Sequence, residues 1–155
     1  MTIESHSAEE TFALGEKMGK EARPGMVIAL SGDLGAGKTV FTQGFAAGLG
    51  VRGPVTSPTF TIMQLYEDGR LPLFHFDVYR IAEPEEMDEI GYEEYFYGNG
   101  VSLVEWADLF PELLPPETVH VTIRKDLTKG DSYRRLEIDG PALSLSSASC
   151  DNSDS

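Results

Sequence analysis

The fold is decided by one early stretch of the chain, which reads Gly32-Asp33-Leu34-Gly35-Ala36-Gly37-Lys38-Thr39. This stretch matches G-x-x-x-x-G-K-[ST] at every fixed position, a pattern in which backbone N–H groups wrap around phosphates. Glycine lets the backbone approach a ligand because it carries no Cβ. The stretch therefore predicts a phosphate-binding loop, with the Lys38 ammonium on the β and γ phosphates and the Thr39 hydroxyl on Mg²⁺.

The flanking segments supply the context that this motif requires. Residues 26–30 are a continuous apolar run between Gly25 and Gly32, which predicts a buried strand of the parallel type. Residues 38–49 predict a helix that ends at Gly50. The motif thus joins a strand to a helix, and the N–H groups of the helix N-terminus favour bound phosphate.

The rest of the chain predicts a mixed α/β fold. Residues 7–22 predict a helix, because Ser7 and Glu10 have capping-box spacing. The other predicted elements are strands at 59–66 and 71–79 joined by a hairpin turn at 67–70, an acidic helical segment at 84–97 interrupted at Gly91, a strand at 101–104, and a closing pair of strands at 118–123 and 135–138. We therefore expect a P-loop NTPase fold, with a mainly parallel sheet flanked by helices and antiparallel strands added.

Length and composition predict one soluble domain. The chain has 155 residues, which we divide into a P-loop domain at 1–140 and a disordered Ser-rich tail at 141–155. No apolar run is long enough to span a bilayer, and the first residues lack signal-peptide features. Cys150 is the single cysteine, so a reducing cytoplasm is the expected location, away from any membrane.

Net charge limits the kinds of partner. The formal charge is −14, which argues against direct binding to a nucleic-acid backbone. Residues 67–117 hold 14 acidic side chains and two basic ones, Arg70 and Arg80. Two interpretations stay open: a solvated acidic face, or a docking surface for a basic partner.

Two carboxylates are candidates for the metal site. Glu105 follows the apolar strand at 101–104, and Asp77 ends the strand run at 71–76. P-loop enzymes place an acidic residue beside the metal, usually at the end of a neighbouring strand. Trp106 follows Glu105 directly; core packing is its expected role, and a lid over the site is the alternative.

Two short strings raise the question of guanine specificity. Residues 88–91 read Asp-Glu-Ile-Gly, and residues 128–131 read Thr-Lys-Gly-Asp. The first lies in a predicted helix rather than at a strand end, and the second lies in a predicted turn. We therefore expect ATP rather than GTP.

Four stretches in this order resemble one known family. After the phosphate loop come Ser57-Pro58-Thr59-Phe60-Thr61, then His75-Phe76-Asp77-Val78-Tyr79-Arg80, then Val104-Glu105-Trp106-Ala107-Asp108. This set closely resembles the bacterial TsaE (YjeE) family, from about Ser7 to Ile138. The combination is far more specific than the phosphate loop alone.

The resemblance implies an activity and partners. The family's members are ATPases of the tRNA threonylcarbamoyladenosine pathway, which bind ATP and Mg²⁺ and hydrolyse ATP slowly alone. They act with two partner proteins, of the TsaD and TsaB type, that transfer a threonylcarbamoyl group to an adenosine beside the tRNA anticodon. Hydrolysis resets that complex, so contact with tRNA is indirect.

The resemblance also assigns residues. Lys38 and Thr39 match the phosphate and Mg²⁺ residues, Glu105 the carboxylate at the metal, and Asp77 a further acidic residue needed for function. The catalytic set is then Lys38, Asp77 and Glu105, and the metal ligands are Thr39 and Glu105. The expected nucleotide contacts are Thr11, Asp33, Gly35, Ala36, Gly37, Lys38, Thr39, Val40 and Arg135, with Arg134 as an alternative to Arg135. Residues 57–59 resemble a switch loop, although a Pro-started strand fits them nearly as well.

The roles of two residues and the choice among three functions stay open. Asp77 is expected to orient either the attacking water or a switch element, and Arg80 is a candidate arginine finger in cis. A small-molecule kinase is one rival function, although residues 50–116 offer no cluster of basic side chains for a phosphorylated acceptor. A module that binds ATP without turnover is the other.

Overall fold

A computed structural model describes residues 2–32, 37–52, 63–78, 85–89, 91–96, 98–106 and 111–140. The predictions for residues 33–36, the switch loop at 57–59, Arg80 and the tail at 141–155 lie outside these residues. The helices are α1 (Ala8–Glu21), α2 (Lys38–Leu49), α3 (Glu85–Glu89) and α4 (Tyr92–Phe96). The strands are β1 (Thr2–Ser5), β2 (Val27–Gly32), β3 (Met63–Tyr66), β4 (Leu73–Asp77), β5 (Val101–Glu105), β6 (Val119–Lys125) and β7 (Arg134–Asp139).

The seven strands form one sheet in the order β1-β7-β6-β2-β5-β4-β3. The central strand β2 pairs in parallel with both β5 and β6, and β4 pairs in parallel with β5. The outer pairs are antiparallel. They are β3 with β4 on one side of the sheet, and β6 with β7 and β7 with β1 on the other. The expected α/β architecture is confirmed: parallel strands occupy the middle of the sheet, and antiparallel strands extend both sides.

Alternation along the strands divides the core between the two faces of the sheet. Ile28 and Leu30 of β2 pack on the face that carries α1 and α2, together with Leu103 of β5. Val27 and Ala29 pack on the opposite face with aromatic side chains of β4 and α4. Because β2 is buried on both faces, its sequence is a continuous apolar run rather than an alternating one.

Helix α1 begins at the Ser7 cap that the sequence predicts, although the Glu10 side chain bonds one residue before Ser7 instead of to Ser7 itself. The Ser7 side chain accepts a hydrogen bond from the Glu10 N–H (3.1 Å), and Glu10 Oε1 accepts one from the His6 N–H (2.9 Å). Just before this cap, β1 adds an edge strand that pairs with β7. Strand β1 was not predicted from the sequence; because of it, the sheet ends at β1 rather than at the closing pair β6–β7.

Glycines bring α1 and α2 into backbone contact. Gly15 and Gly19 on α1 face the Phe41 and Phe45 carbonyls, while Gly44 on α2 faces the Phe12 carbonyl. A methyl group built at any of these glycines would overlap the opposing carbonyl oxygen. The two helices therefore approach more closely than side chains would allow, and their relative position is fixed by this contact.

The β3–β4 turn supports the far ends of both helices. Arg70 donates hydrogen bonds from Nη2 to the carbonyls of Gly19 (2.8 Å), Lys20 (3.1 Å) and Ala22 (3.1 Å) at the end of α1. Its backbone N–H donates to the Leu49 carbonyl at the end of α2. A cation at a helix C-terminus also interacts favourably with the helix dipole.

Most sequence-predicted elements are confirmed, with shifted ends. Helix α2 has the predicted bounds and ends at Gly50, whose φ of 89° is left-handed. Within the described residues, Gly91 separates α3 from α4, and the predicted hairpin joins β3 to β4. Asp88 lies inside α3, and Thr128 lies in a short 3-10 helix between β6 and β7. Neither residue directly follows the end of a strand, which agrees with the expectation of ATP rather than GTP. In the described part of the chain, no helix has the length and apolar character needed to cross a membrane.

Candidate nucleotide-binding site

The predicted phosphate loop lies between the C-terminal end of β2 and the N-terminal end of α2. Gly32 ends β2 with a φ of 149°, and a Cβ there would overlap the Ile123 carbonyl of β6. Gly37 caps α2 with a φ of 98°, which also favours glycine. Both positions require glycine for backbone reasons, so the glycines shape the entry to and the exit from the loop.

Lys38 is the first residue of α2 and is nearly buried, with 9% of its surface exposed. Its Nζ lies 4.2 Å from the centroid of the Trp106 ring, a cation–π contact. Trp106 is half-buried against the second core and has a φ of 63°, which is rare for a large side chain. The contact brings the start of α2 next to the end of β5, where Glu105 precedes Trp106. Thr39, the predicted metal ligand, is exposed.

The two predicted carboxylates lie at the same edge of the sheet. Asp77 ends β4, Glu105 ends β5, and the parallel register pairs these two residues directly. Glu105 is 5% exposed, whereas Asp77 is half-buried. Because residues two apart in a strand share a face, both carboxylates lie on the face of Leu73 and Leu103, which is the α1–α2 face.

His75 was not predicted as a site residue, but the structure places it against the candidate metal ligand Glu105. Its Nε2 lies 2.6 Å from Glu105 Oε2, and both side chains are buried. An ionised carboxylate only accepts hydrogen bonds, so with Glu105 in that form Nε2 of His75 is the donor. Among the described residues, His75 Nδ1 has no hydrogen-bond partner. The signal was present in the sequence, since His75 and Asp77 alternate on one strand face.

A cleft at the start of α2, lined by Gly37 among others, is a second part of the candidate site. Its cavity volume is about 140 Å³, and its lining comprises Ser7, Ala8, Thr11, Gly37, Val40, Asp131, Ser132 and Arg134. Three predicted nucleotide contacts, Thr11, Gly37 and Val40, thus meet in one cavity. Thr11 is buried, and its Oγ1 lies 2.7 Å from Ser5 Oγ. Sequence reasoning missed Ser7 as a lining residue, although it identified the same residue as a helix cap.

The two neighbouring arginines of β7 are placed differently. Arg134 lines the cleft, and its Nη1 donates to the carbonyls of Asp131 (2.6 Å) and Tyr133 (2.7 Å). Arg135 does not line it; its Nε donates to Glu137 Oε2 at 3.2 Å. Arg134 shares a face with Leu136 and Ile138 of the α1–α2 core. Of the two alternatives, the structure brings Arg134 and not Arg135 to the predicted contacts.

A polar network holds β1 beside the cleft. The Tyr133 hydroxyl donates to Glu4 Oε2 (2.7 Å), and Lys129 Nζ lies 3.6 Å from the same oxygen. The hydrogen bond from Tyr133, followed by the charge of Lys129, lowers the pKa of Glu4 below its ordinary value. The same bond raises the pKa of Tyr133. On the β6–β7 turn, hydrogen bonds from Thr128 lower the pKa of Asp126.

The candidate metal ligands supply oxygen donors, the kind of ligand that Mg²⁺ takes. Among the described residues, no group of three or more His, Cys, Asp or Glu side chains could hold a metal ion. Mg²⁺ does not need such a cage, because it retains waters and binds one or two protein oxygens together with the phosphates of a substrate. A Thr39 hydroxyl and a Glu105 carboxylate are oxygen donors of this kind.

Fold and site together define the P-loop NTPase class of α/β proteins: a central parallel strand leads through the Gly-Lys-Thr loop into a helix, and carboxylates end the next strands. The particular family follows from comparison with known proteins. Residues 5–135 match the family described as "Threonylcarbamoyl adenosine biosynthesis protein TsaE", and the chain belongs to this family.

Individual relatives agree with this assignment. The chain is 51% identical over 128 residues to the tRNA threonylcarbamoyladenosine biosynthesis protein TsaE of Bacillus subtilis, covering 83% of this chain and 78% of that protein. It is 44% identical over 124 residues to TsaE of Treponema pallidum, covering 80% and 91%. A crystal structure of Bacillus subtilis YdiB superposes with a TM-score of 0.75 at 43% identity, covering 92% of this chain and 86% of that chain.

Proposed function

We propose that this protein is a Mg²⁺-dependent ATPase that serves the threonylcarbamoyl modification of adenosine in tRNA. The observation that carries the proposal is the contact of Lys38 with Trp106, which joins the first residue of α2 to the residue that directly follows Glu105 at the end of β5. P-loop enzymes place a phosphate-binding lysine and a metal-binding carboxylate at one site. This contact joins the segments that carry Lys38 and Glu105. The names of the relatives supply the pathway.

Each residue of the proposed site has a distinct task. The loop amides and the Lys38 ammonium bind phosphates, and Thr39 and Glu105 would hold Mg²⁺. When bound, Mg²⁺ neutralises charge on the phosphate oxygens. Asp77, paired in register with Glu105, orients the attacking water or a switch element. Thr11, Val40 and Arg134 bind the nucleoside side of ATP in the cleft. Catalysis of this type rests on positioning and electrostatics rather than on a covalent intermediate.

The proposed role is to reset a transferase complex, not to transfer the group. Its partners are two proteins of the TsaD and TsaB type, its location is the cytoplasm, and its contact with tRNA is indirect. The net charge of −14 supports indirect contact, since direct tRNA binding calls for basic surface. We further propose that the acidic helices α3 and α4 lie near the partner complex. Their exposed acids include Glu85, Asp88 and Glu89.

Phosphate release from ATP, measured with and without the two partners, tests the activity. We expect slow release alone, acceleration by the partners, and loss of both with Lys38→Ala. Omitting Mg²⁺ should abolish release. Phosphate transfer to a small acceptor would favour a kinase, and tight ATP binding without release in either condition would favour a nucleotide-sensing module.

A charge reversal tests the partner surface. Changing Glu85, Glu86 and Glu89 to Lys should weaken partner affinity and leave the partner-free ATPase rate intact. The control reverses the exposed acids Glu9, Glu112 and Glu117 and changes net charge equally. Equal loss of affinity in both triple variants would indicate a general effect of charge instead of a local docking surface.

A further inference from the structure

The buried contact between His75 and Glu105 goes beyond the residues already assigned. Each side chain is almost fully enclosed, with side-chain exposures of 1% and 7%, and the Nε2–Oε2 distance is 2.6 Å. Removing a carboxylate from water is costly unless hydrogen bonds replace the lost hydration. His75 supplies such a bond to Glu105, so it helps to keep the carboxylate at this buried position.

The strand register explains how the imidazole reaches its partner. His75 pairs in register with Leu103, and Asp77 pairs with Glu105. The imidazole therefore reaches diagonally toward the C-terminal edge of the sheet, past its own register partner. An extended side chain can make such a diagonal contact between strands. The reach directs His75 toward the carboxylate that the proposed function assigns to the metal, and Asp77 lies on the same strand beyond it.

We propose that His75 is a positioning residue that fixes the Glu105 carboxylate for Mg²⁺ binding. The inference rests on the proposed function, because it takes Glu105 as the metal's protein carboxylate. In this role His75 acts through Glu105, by holding its Oε2 in one orientation. A carboxylate with a fixed orientation loses less freedom when a metal binds than one that must first be ordered.

His75 Nδ1 gives independent support for a role outside stability. Within the described part of the chain this buried nitrogen has no hydrogen-bond partner. A buried polar atom without a partner is costly, and an apolar residue in the same place would avoid that cost. A histidine at this position therefore needs a reason beyond packing, and the bond to Glu105 provides one.

Binding of Mn²⁺ in the presence of saturating ADP tests the inference without relying on turnover. Free Mn²⁺ is measured by electron paramagnetic resonance for the wild type, His75→Leu, His75→Gln and Glu105→Gln. We expect His75→Leu to weaken Mn²⁺ binding by about tenfold or more, the usual effect of removing a partner of a metal ligand. His75→Gln should restore much of the affinity, because its amide can donate to Glu105. ADP affinity in EDTA should be unchanged in both variants.

The outcomes separate this inference from the proposed function. Normal Mn²⁺ affinity in a folded His75→Leu protein, with weakened binding in Glu105→Gln, would overturn the positioning role alone. Normal affinity in Glu105→Gln would overturn the assignment of the metal site itself. Circular dichroism reports whether each variant is folded.

A measurement on the wild type covers the case in which His75→Leu does not fold. Imidazole ¹⁵N spectra of the ADP-bound protein should show His75 Nε2 protonated, and its signal should shift when Mg²⁺ is added. The protein has three histidines, and His75→Gln identifies the signal. An Nε2 signal that is unaffected by Mg²⁺ would overturn the inference.

Discussion

Gly44 on α2 lies directly against the carbonyl of Phe12 on α1, with no space for even a methyl group. Gly44→Ala should therefore force the helices apart and reduce the free energy of unfolding. Overpacking of a tight interior typically costs about 1–3 kcal/mol. Replacing glycine by alanine in a helix gains roughly 1 kcal/mol in helix propensity, so the cost prevails over most of that range. Urea unfolding measures the change. As a control, Lys20→Ala at an exposed position of α1 should shift stability by only about 0.5 kcal/mol or less. A Gly44→Ala protein as stable as the wild type would mean that the helices separate without cost.

Ser102 and Ser5 are two buried serines whose replacement by alanine should affect stability differently. Both are fully buried. Ser102 Oγ has no hydrogen-bond partner among the described residues, whereas Ser5 Oγ contacts the Ser7 carbonyl at 2.9 Å and Thr11 Oγ1 at 2.7 Å. Ser102→Ala should leave stability unchanged or raise it, and Ser5→Ala should lower it by about 1–3 kcal/mol because Thr11 and Ser7 lose a partner. Thermal and urea unfolding of both variants measure this. Equal destabilisation would show that Ser102 has a partner after all.

The neighbouring residues Arg134 and Arg135 provide a test of the cleft. Arg134→Ala should weaken ADP binding by about tenfold, since one charge-assisted hydrogen bond contributes about 1.5–3 kcal/mol. Arg135→Ala should bind ADP like the wild type, because Arg135 pairs with Glu137 outside the cleft lining. Calorimetric titration with ADP measures both affinities. The reverse ranking would place the nucleoside on the other face of β7.

The Glu4–Tyr133 hydrogen bond predicts a pH dependence of stability. The folded-state pKa of Glu4 is lowered, so the ionised carboxylate is favoured in the folded state. This contribution is present above the ordinary Glu4 pKa of 4.5 and is lost as pH falls through the lowered value. Tyr133→Phe should therefore be less stable than the wild type near neutral pH, and the difference should shrink in acid. Urea unfolding between neutral pH and acid measures the difference. In a Glu4→Gln background the Tyr133→Phe effect should no longer depend on pH in this range.

Much of the central fold was predictable because its signals are local. The apolar run of β2, the Gly-Lys-Thr start of α2 and its end at Gly50 are all read from adjacent residues. The Ser7 cap of α1 is equally local. Glu105 and Asp77 were found because each ends an apolar strand, and parallel neighbours bring their ends together.

Other features were missed because they depend on distant partners. Strand β1 has only four residues, and it is held by pairing with β7 at the other end of the described chain. The His75–Glu105 bond joins residues 30 positions apart. The choice between Arg134 and Arg135 depends on which face of β7 meets the core, and that requires the register with β6. The close contact of α1 and α2 did have a signal in the sequence. Each helix carries two glycines four residues apart, Gly15 and Gly19 on α1 and Gly44 and Gly48 on α2.

The glycine contact between α1 and α2 also sets the distance between two parts of the proposed nucleotide site. Thr11 on α1 and Val40 on α2 line the same cleft, and Lys38 begins α2. Because the helices touch through their backbones, neither can slide without breaking close packing. The helix contact therefore fixes the distance between the proposed nucleoside end and the proposed phosphate end of the site. A ligand must span this distance, and a larger side chain at Gly44 would change it.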